Sequence, residues 1–244
     1  MENQCRIDNL RKEEKEVKNI RIWTPESDYD AEAIEVIANK IITLYGSDCS
    51  VEKSTKRAYV TAVKKQQLDK MVANYLKNDD LVIFLIDHDS LQSSSERKLQ
   101  SNSLFNQITK VINSNEKAVL VEIYQELESW LLVDCLGIAC YVTKNNNCRE
   151  AADWKKFIRK YQKGDTSLIV EAESGGKGAK EYLEKLCDAI NLKVNPTLSN
   201  KRKNLKAKRY VESQSPKVAK SILINRQTIN RNLSLKTFAE YFKN

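Results

Sequence analysis

LVIFLIDHDS, Leu81 to Ser90, decides the fold. Six apolar residues run without a break into Asp87, His88 and Asp89. An apolar run of this length, preceded by the turn residues Asn78, Asp79 and Asp80, reads as a strand buried on both faces. Such strands belong to parallel sheets covered by helices on both sides. Acids at the end of that strand then lie where open parallel sheets bind ligands, outside the carboxyl ends of the strands. The alternative for Asp87 and Asp89 is a turn cap closing a buried strand.

Working outward, KNIRIW (Lys18–Trp23) is a second strand that stops at TPES. Ile34, Ile37, Ala38, Ile41 and Leu44 repeat with helical spacing, which predicts a helix over 29–45. Ser27 is its N-cap, Asp28 and Asp30 are first-turn charges, and Gly46 ends it. SVEKST reads as a short strand. Val60, Val63, Leu68, Val72 and Leu76 predict a helix over about 58–77. Leu104, Ile108, Val111 and Ile112 mark another, AVLVEIY (Ala118–Tyr124) is a further strand, and ELESWLLVD opens a helix directly after it. This alternation predicts an α/β protein with a mostly parallel sheet and helices on both faces. From about residue 150 the pattern is helical throughout. Two regions are therefore expected: an α/β core over 1–148, and a helical, basic C-terminal region over 149–244 packed on it.

Composition narrows the function. The chain of 244 residues has 41% hydrophobic and 30% charged residues, ordinary for a globular protein. Its polar N-terminus does not read as a secretory signal, and no apolar run approaches the ~20 residues of a membrane span. The six cysteines form no CxxC pair and His88 is the single histidine, so a structural zinc site lacks its usual spacing. Free thiols in a reducing cytoplasm are expected. The net charge is +8, but residues 193–244 carry 13 Lys and Arg against two acids, leaving the rest slightly acidic. Within KRKNLKAKR, six basic residues (Lys201, Arg202, Lys203, Lys206, Lys208 and Arg209) form a candidate contact to a phosphate backbone.

The acids carry the chemistry. The first strand leads to Glu26, the third to Asp87 and Asp89, the fourth to Glu126 and Glu128. Residues i and i+2 of an extended chain point the same way, so both carboxylates of the D-x-D can face one ion, while His88 points to the opposite face. Hard cations such as Mg²⁺ take oxygen ligands. Without a cation, clustered carboxylates raise one another's pKa. Glu26, Asp87 and Asp89 are thus candidate ligands for Mg²⁺ or Mn²⁺, with Glu128 a fourth. Glu26 is alternatively a general base. SGGKG (Ser174–Gly178) lacks the G-x-x-x-x-G-K-[ST] spacing of a nucleotide-binding loop, so no ATPase activity is expected of the chain itself. Its Lys177 is a candidate for neutralising charge on a reacting phosphate. Trp23 and Trp154 are candidates for stacking on bases, whereas Trp130 reads as core.

Together these pieces resemble the TOPRIM nucleases. The matching stretches are ESDYDAEAIEVI (Glu26–Ile37), in which Ser27 stands where the family has Gly, and FLIDHD (Phe84–Asp89). ELESWLLVD (Glu126–Asp134) and GGKGAKEYLEKL (Gly175–Leu186) look like segments of small stand-alone proteins of that type, as do the closing SPKVAKSILI and LKTFAEYF. The resemblance implies a Mg²⁺-dependent endonuclease acting on RNA, such as tRNA, or on DNA. It further implies a toxic effector of bacterial anti-phage defence, controlled by a partner ATPase of the ABC or AAA class. Two rivals remain: a non-catalytic TOPRIM-like module that docks on an ATPase or nucleic acid, and a glycosyl- or nucleotidyl-transferase using D-x-D for a nucleotide-bound metal.

Overall fold

The computed structural model describes residues 17–25, 27–54, 62–88, 99–101, 103–169, 178–197 and 210–243. Its sheet has four parallel strands: β1 (Lys18–Trp23), β2 (Cys49–Lys53), β3 (Leu81–His88) and β4 (Ala118–Tyr124), in the order β2-β1-β3-β4. The LVIFLI run is the centre of that sheet, and all six of its residues are buried. Alternation divides them: Leu81, Ile83 and Leu85 face one apolar core, Val82, Phe84 and Ile86 the other. This is the α/β class expected from the sequence, with helices on both faces.

Helix α1 (Asp28–Tyr45) covers the first face. Ser27 caps it, accepting the Asp30 N–H, and left-handed Gly46 (φ 62°) ends it. Helices α2 (Leu68–Tyr75) and α3 (Leu104–Ser114) cover the second face through Leu68, Val72, Ile108 and Val111. The helix expected over about 58–77 is shorter. Residues 55–61 lie outside the described residues, and α2 begins only at Leu68, because Gln66 adopts a left-handed conformation (φ 52°) that no helix continues through.

The C-terminal half wraps the first face. Beyond β4 come α4 (Glu128–Leu131), a 3₁₀ turn (Leu132–Asp134), α5 (Cys135–Thr143), α6 (Ala152–Ile158), α7 (Gly178–Val194), α8 (Ser215–Ser221), α9 (Arg226–Ile229) and α10 (Leu233–Glu240). Trp130, Leu183, Val218 and Phe238 pack in the same core as Ile34 and Leu85. Polar contacts fix α8 against α1: Lys40 Nζ donates to the carbonyls of Ala219 (2.8 Å), Lys220 (2.7 Å) and Ile222 (2.6 Å). A cation there also meets the negative end of the helix. Burial, and then the nearby Arg149, pull the Lys40 pKa down. Asp134, the acid that ends ELESWLLVD, is spent on structure. It accepts from Arg149 and from the Leu223 N–H, both at 2.6 Å.

The five described cysteines are free thiols. No helix among the described residues is long and apolar enough to cross a membrane.

Candidate active site

Sheet order locates the site. The chain leaves β1 to build β2 on one side and then crosses to β3 on the other. A crevice therefore opens above the carboxyl ends of β1 and β3, the position at which open α/β sheets bind ligands. Asp87 stands there, on the face shared with Leu85 and α1, by the period-two alternation of β3. Glu26 and Asp89, the other two expected ligands, lie outside the described residues, as do Lys177 and the six basic residues Lys201, Arg202, Lys203, Lys206, Lys208 and Arg209.

The turn after β4 delivers two further acids. Gln125 is buried and left-handed (φ 71°), an unfavourable conformation for a residue with a Cβ. It swings the chain from strand to helix within two residues. The Ser129 hydroxyl ties the turn down by donating to the Tyr124 carbonyl (2.9 Å), and Ser234 Oγ accepts both the Tyr124 N–H (3.2 Å) and the indole N–H of Trp130 (2.9 Å). Glu126 and Glu128 are thereby held on the α1 side of the sheet.

Glu128 is only 6% exposed. Burial, and after it the charge of Glu126, push its carboxyl up from 4.5 to about 7, with Asp30 adding to the rise. The Tyr210 hydroxyl donates to Glu128 Oε1 at 3.0 Å and lies 2.6 Å from Ser215 Oγ. Asp30, also buried, accepts from the Ser27 hydroxyl at 2.8 Å. Glu126 Oε2 accepts the Lys180 N–H at 2.9 Å and so caps the first turn of α7. Gly178 makes that approach possible. It is left-handed (φ 62°), and a Cβ there would meet Glu181 Oε2 at 2.7 Å.

Three acids from two distant stretches thus converge: Asp30 from α1, and Glu126 and Glu128 from the β4–α4 turn. Asp30 and Glu126 had no place among the expected ligands. Asp30 was legible in principle, since it shares the spacing of Ile34, Ile37 and Ile41 and so falls on the buried face. Tyr210 and Ser215 gave no such signal.

The raised carboxyl of Glu128 has a measurable consequence. Between about pH 4.5 and 7 the folded chain holds a proton that the unfolded chain has released, so stability falls as pH rises through that window. The contribution is roughly 3 kcal/mol across the window. Urea unfolding at about pH 5 and pH 8 should show Glu128→Gln gaining on wild type as pH rises. Identical pH slopes in the two proteins would contradict the assignment.

Several expectations are corrected. Ser27 has φ −151°, extended backbone that any residue adopts, so nothing in its conformation requires the Gly of the TOPRIM pattern. Trp23 cannot stack on a base. It is fully buried, edge-on to Phe84 at 5.0 Å between ring centroids. Trp130 is core, as expected, and Trp154 is packed on Phe157 with Lys193 Nζ 5.0 Å from its ring centroid. His88 points to the opposite face from Asp87, where its Nε2 lies 3.8 Å from Glu122 Oε2.

All the converging donors are carboxylate oxygens, the set that suits a hard divalent cation. Their mutual repulsion, visible at Glu128, is what such a cation relieves. Among the described residues alone, no group of three or more His, Cys, Asp or Glu side chains is arranged to hold a metal ion. Fold and site define an α/β protein with a carboxylate cluster beside the switch point of a parallel sheet. Compared with protein-family models, with curated proteins and with solved structures, the chain matches none.

Proposed function

We propose that this protein is a Mg²⁺- or Mn²⁺-dependent nuclease of the TOPRIM type, acting in the cytoplasm on the phosphodiester bonds of RNA or DNA. The observation that carries the reading is the convergence of acids at the carboxyl edge of the sheet: Asp87 at the end of β3, with Asp30, Glu126 and buried Glu128 gathered on the same face. Asp87, Asp89 and Glu26 would hold the cation, with Glu128 as a further ligand. Bound there, the cation supplies Lewis-acid polarisation of a phosphoryl oxygen and lowers the pKa of a water. Glu26 is alternatively the base that takes the proton of that water. Lys177 neutralises charge growing on the phosphate. The stretch containing Lys201, Arg202, Lys203, Lys206, Lys208 and Arg209 grips the substrate backbone without reading bases. By its likeness to small TOPRIM proteins, the chain acts as the toxic effector of an anti-phage system under a partner ABC- or AAA-type ATPase.

The second reading is a non-catalytic docking module. It is favoured by the engagement of Glu126 with the Lys180 N–H and of Glu128 with Tyr210. One assay separates the two. The chain, alone and co-expressed with its chromosomal neighbours, is incubated with mixed tRNA, single-stranded RNA and duplex DNA, in Mg²⁺, Mn²⁺ or EDTA. Cleavage that requires the cation is expected. Products that persist in EDTA would remove the metal mechanism, and no cleavage of any polymer in either preparation would assign the chain to docking.

A further inference from the structure

Tyr210 follows Arg209 directly in sequence, and its side chain ends at the acidic site. It is 2% exposed, so its hydroxyl is out of reach of bulk water. That hydroxyl stands between Glu128 Oε1 at 3.0 Å and Ser215 Oγ at 2.6 Å. Ser215 is wholly buried as well, and its Oγ also lies 2.7 Å from the Glu212 carbonyl. Packing alone does not call for this hydroxyl. A phenylalanine would fill the same space without a polar group to satisfy.

Glu128 needs outside help to hold one orientation. It opens a helix of only four residues, just past the left-handed Gln125. A carboxylate on so short an element has little of its own to fix its plane. Tyr210 reaches it from 82 residues away in the chain, and Ser215 holds Tyr210 in turn. Each hydroxyl has a single proton to give. With the Tyr210 proton directed at Glu128, Ser215 completes the chain by donating to Tyr210.

We propose that Tyr210 is a positioning residue of the cation site, its hydroxyl fixing the Glu128 carboxylate in the orientation that faces the ion, with Ser215 holding Tyr210 in place. This rests on the cation-dependent reading of the site given above. Groups that orient a metal ligand in this way govern affinity for the ion without touching it.

The test is Mn²⁺ binding to the full chain, titrated by electron paramagnetic resonance, in wild type, Tyr210→Phe and Ser215→Ala. Circular dichroism checks that each variant is folded. Tyr210→Phe is expected to bind Mn²⁺ about 10-fold more weakly. Its cleavage should return toward the wild-type rate as Mn²⁺ is raised, a recovery that a purely structural defect would not show. Ser215→Ala is expected to weaken binding in the same direction by less. Equal Mn²⁺ affinity in wild type and Tyr210→Phe would overturn the positioning role and leave the cation site standing. No Mn²⁺ binding by wild type would overturn the cation reading itself and the positioning role with it. Should Tyr210→Phe not fold, Ser215→Ala decides in its place, and wild-type affinity there would overturn the proposal.

Discussion

Asp87→Asn is expected to abolish cation-dependent cleavage while leaving the fold intact. Asparagine has nearly the same shape, and Asp87 sits at the last turn of the pleat, past the six residues that β3 buries. What changes is charge. A neutral amide is a poor ligand for Mg²⁺, and the site loses an anion at the point where the sheet topology opens. Losing an outer partner of a metal ligand costs roughly 10–100-fold in affinity or activity, so losing a ligand should cost more than that. Cleavage of labelled tRNA and duplex DNA under single-turnover conditions, with circular dichroism as the control for folding, measures it. The effect should not be recovered by raising substrate, because a missing ligand lowers the rate of the bound complex rather than binding alone. Cleavage at the wild-type rate in Asp87→Asn would remove the residue from the site and the proposed mechanism with it.

Gly137→Ala is expected to be the most damaging conservative change in the core. Gly137 lies in α5 where that helix crosses the end of α8. A Cβ there would come within 2.6 Å of Ile222 Cα, 2.6 Å of the Ser221 carbonyl oxygen and 2.7 Å of Asp134 Oδ2. Two of these are backbone atoms, which cannot rotate away. The same backbone is anchored on the far side by Lys40, and the Ser221 carbonyl accepts from Arg149 at 2.7 Å. Overpacking of a close-packed contact costs about 1–3 kcal/mol and occasionally more. With the anchors resisting relaxation, about 3 kcal/mol is expected. For a chain of this size that is a fall in melting temperature of roughly 6–12 °C. Thermal and urea unfolding of the variant measure it. A change below about 0.5 kcal/mol would mean that the α5–α8 contact opens freely.

The two substitutions probe different kinds of information. Asp87 was legible before any coordinates, because a buried strand announces itself by its apolar run and the acid simply follows it. The same holds for α1. The spacing of Ile34, Ile37 and Ile41, with Ser27 before and Gly46 after, fixes a helix through interactions between residues a few positions apart. The outline of α2 was less legible. Apolar residues continue with helical spacing across Gln66, yet the backbone turns left-handed there, and hydrophobic periodicity does not register a single φ angle.

The site divides along the same line. Acids at the ends of strands are a local property, written in Glu26, Asp87, Asp89, Glu126 and Glu128. Which of those ends lie side by side is not, since the order β2-β1-β3-β4 is set by how whole strands and their covering helices bury each other's apolar faces. Nor did the chain alone reveal that Gly137 has no room for a methyl group, or that Tyr210 bonds Glu128 across 82 residues. The sequence by itself determined the strands, the helices and the acids that follow them, because short-range periodicity and capping act within a few residues. Only the tertiary structure decided which acids share a crevice and what orients them, because those contacts join parts of the chain that no local pattern relates.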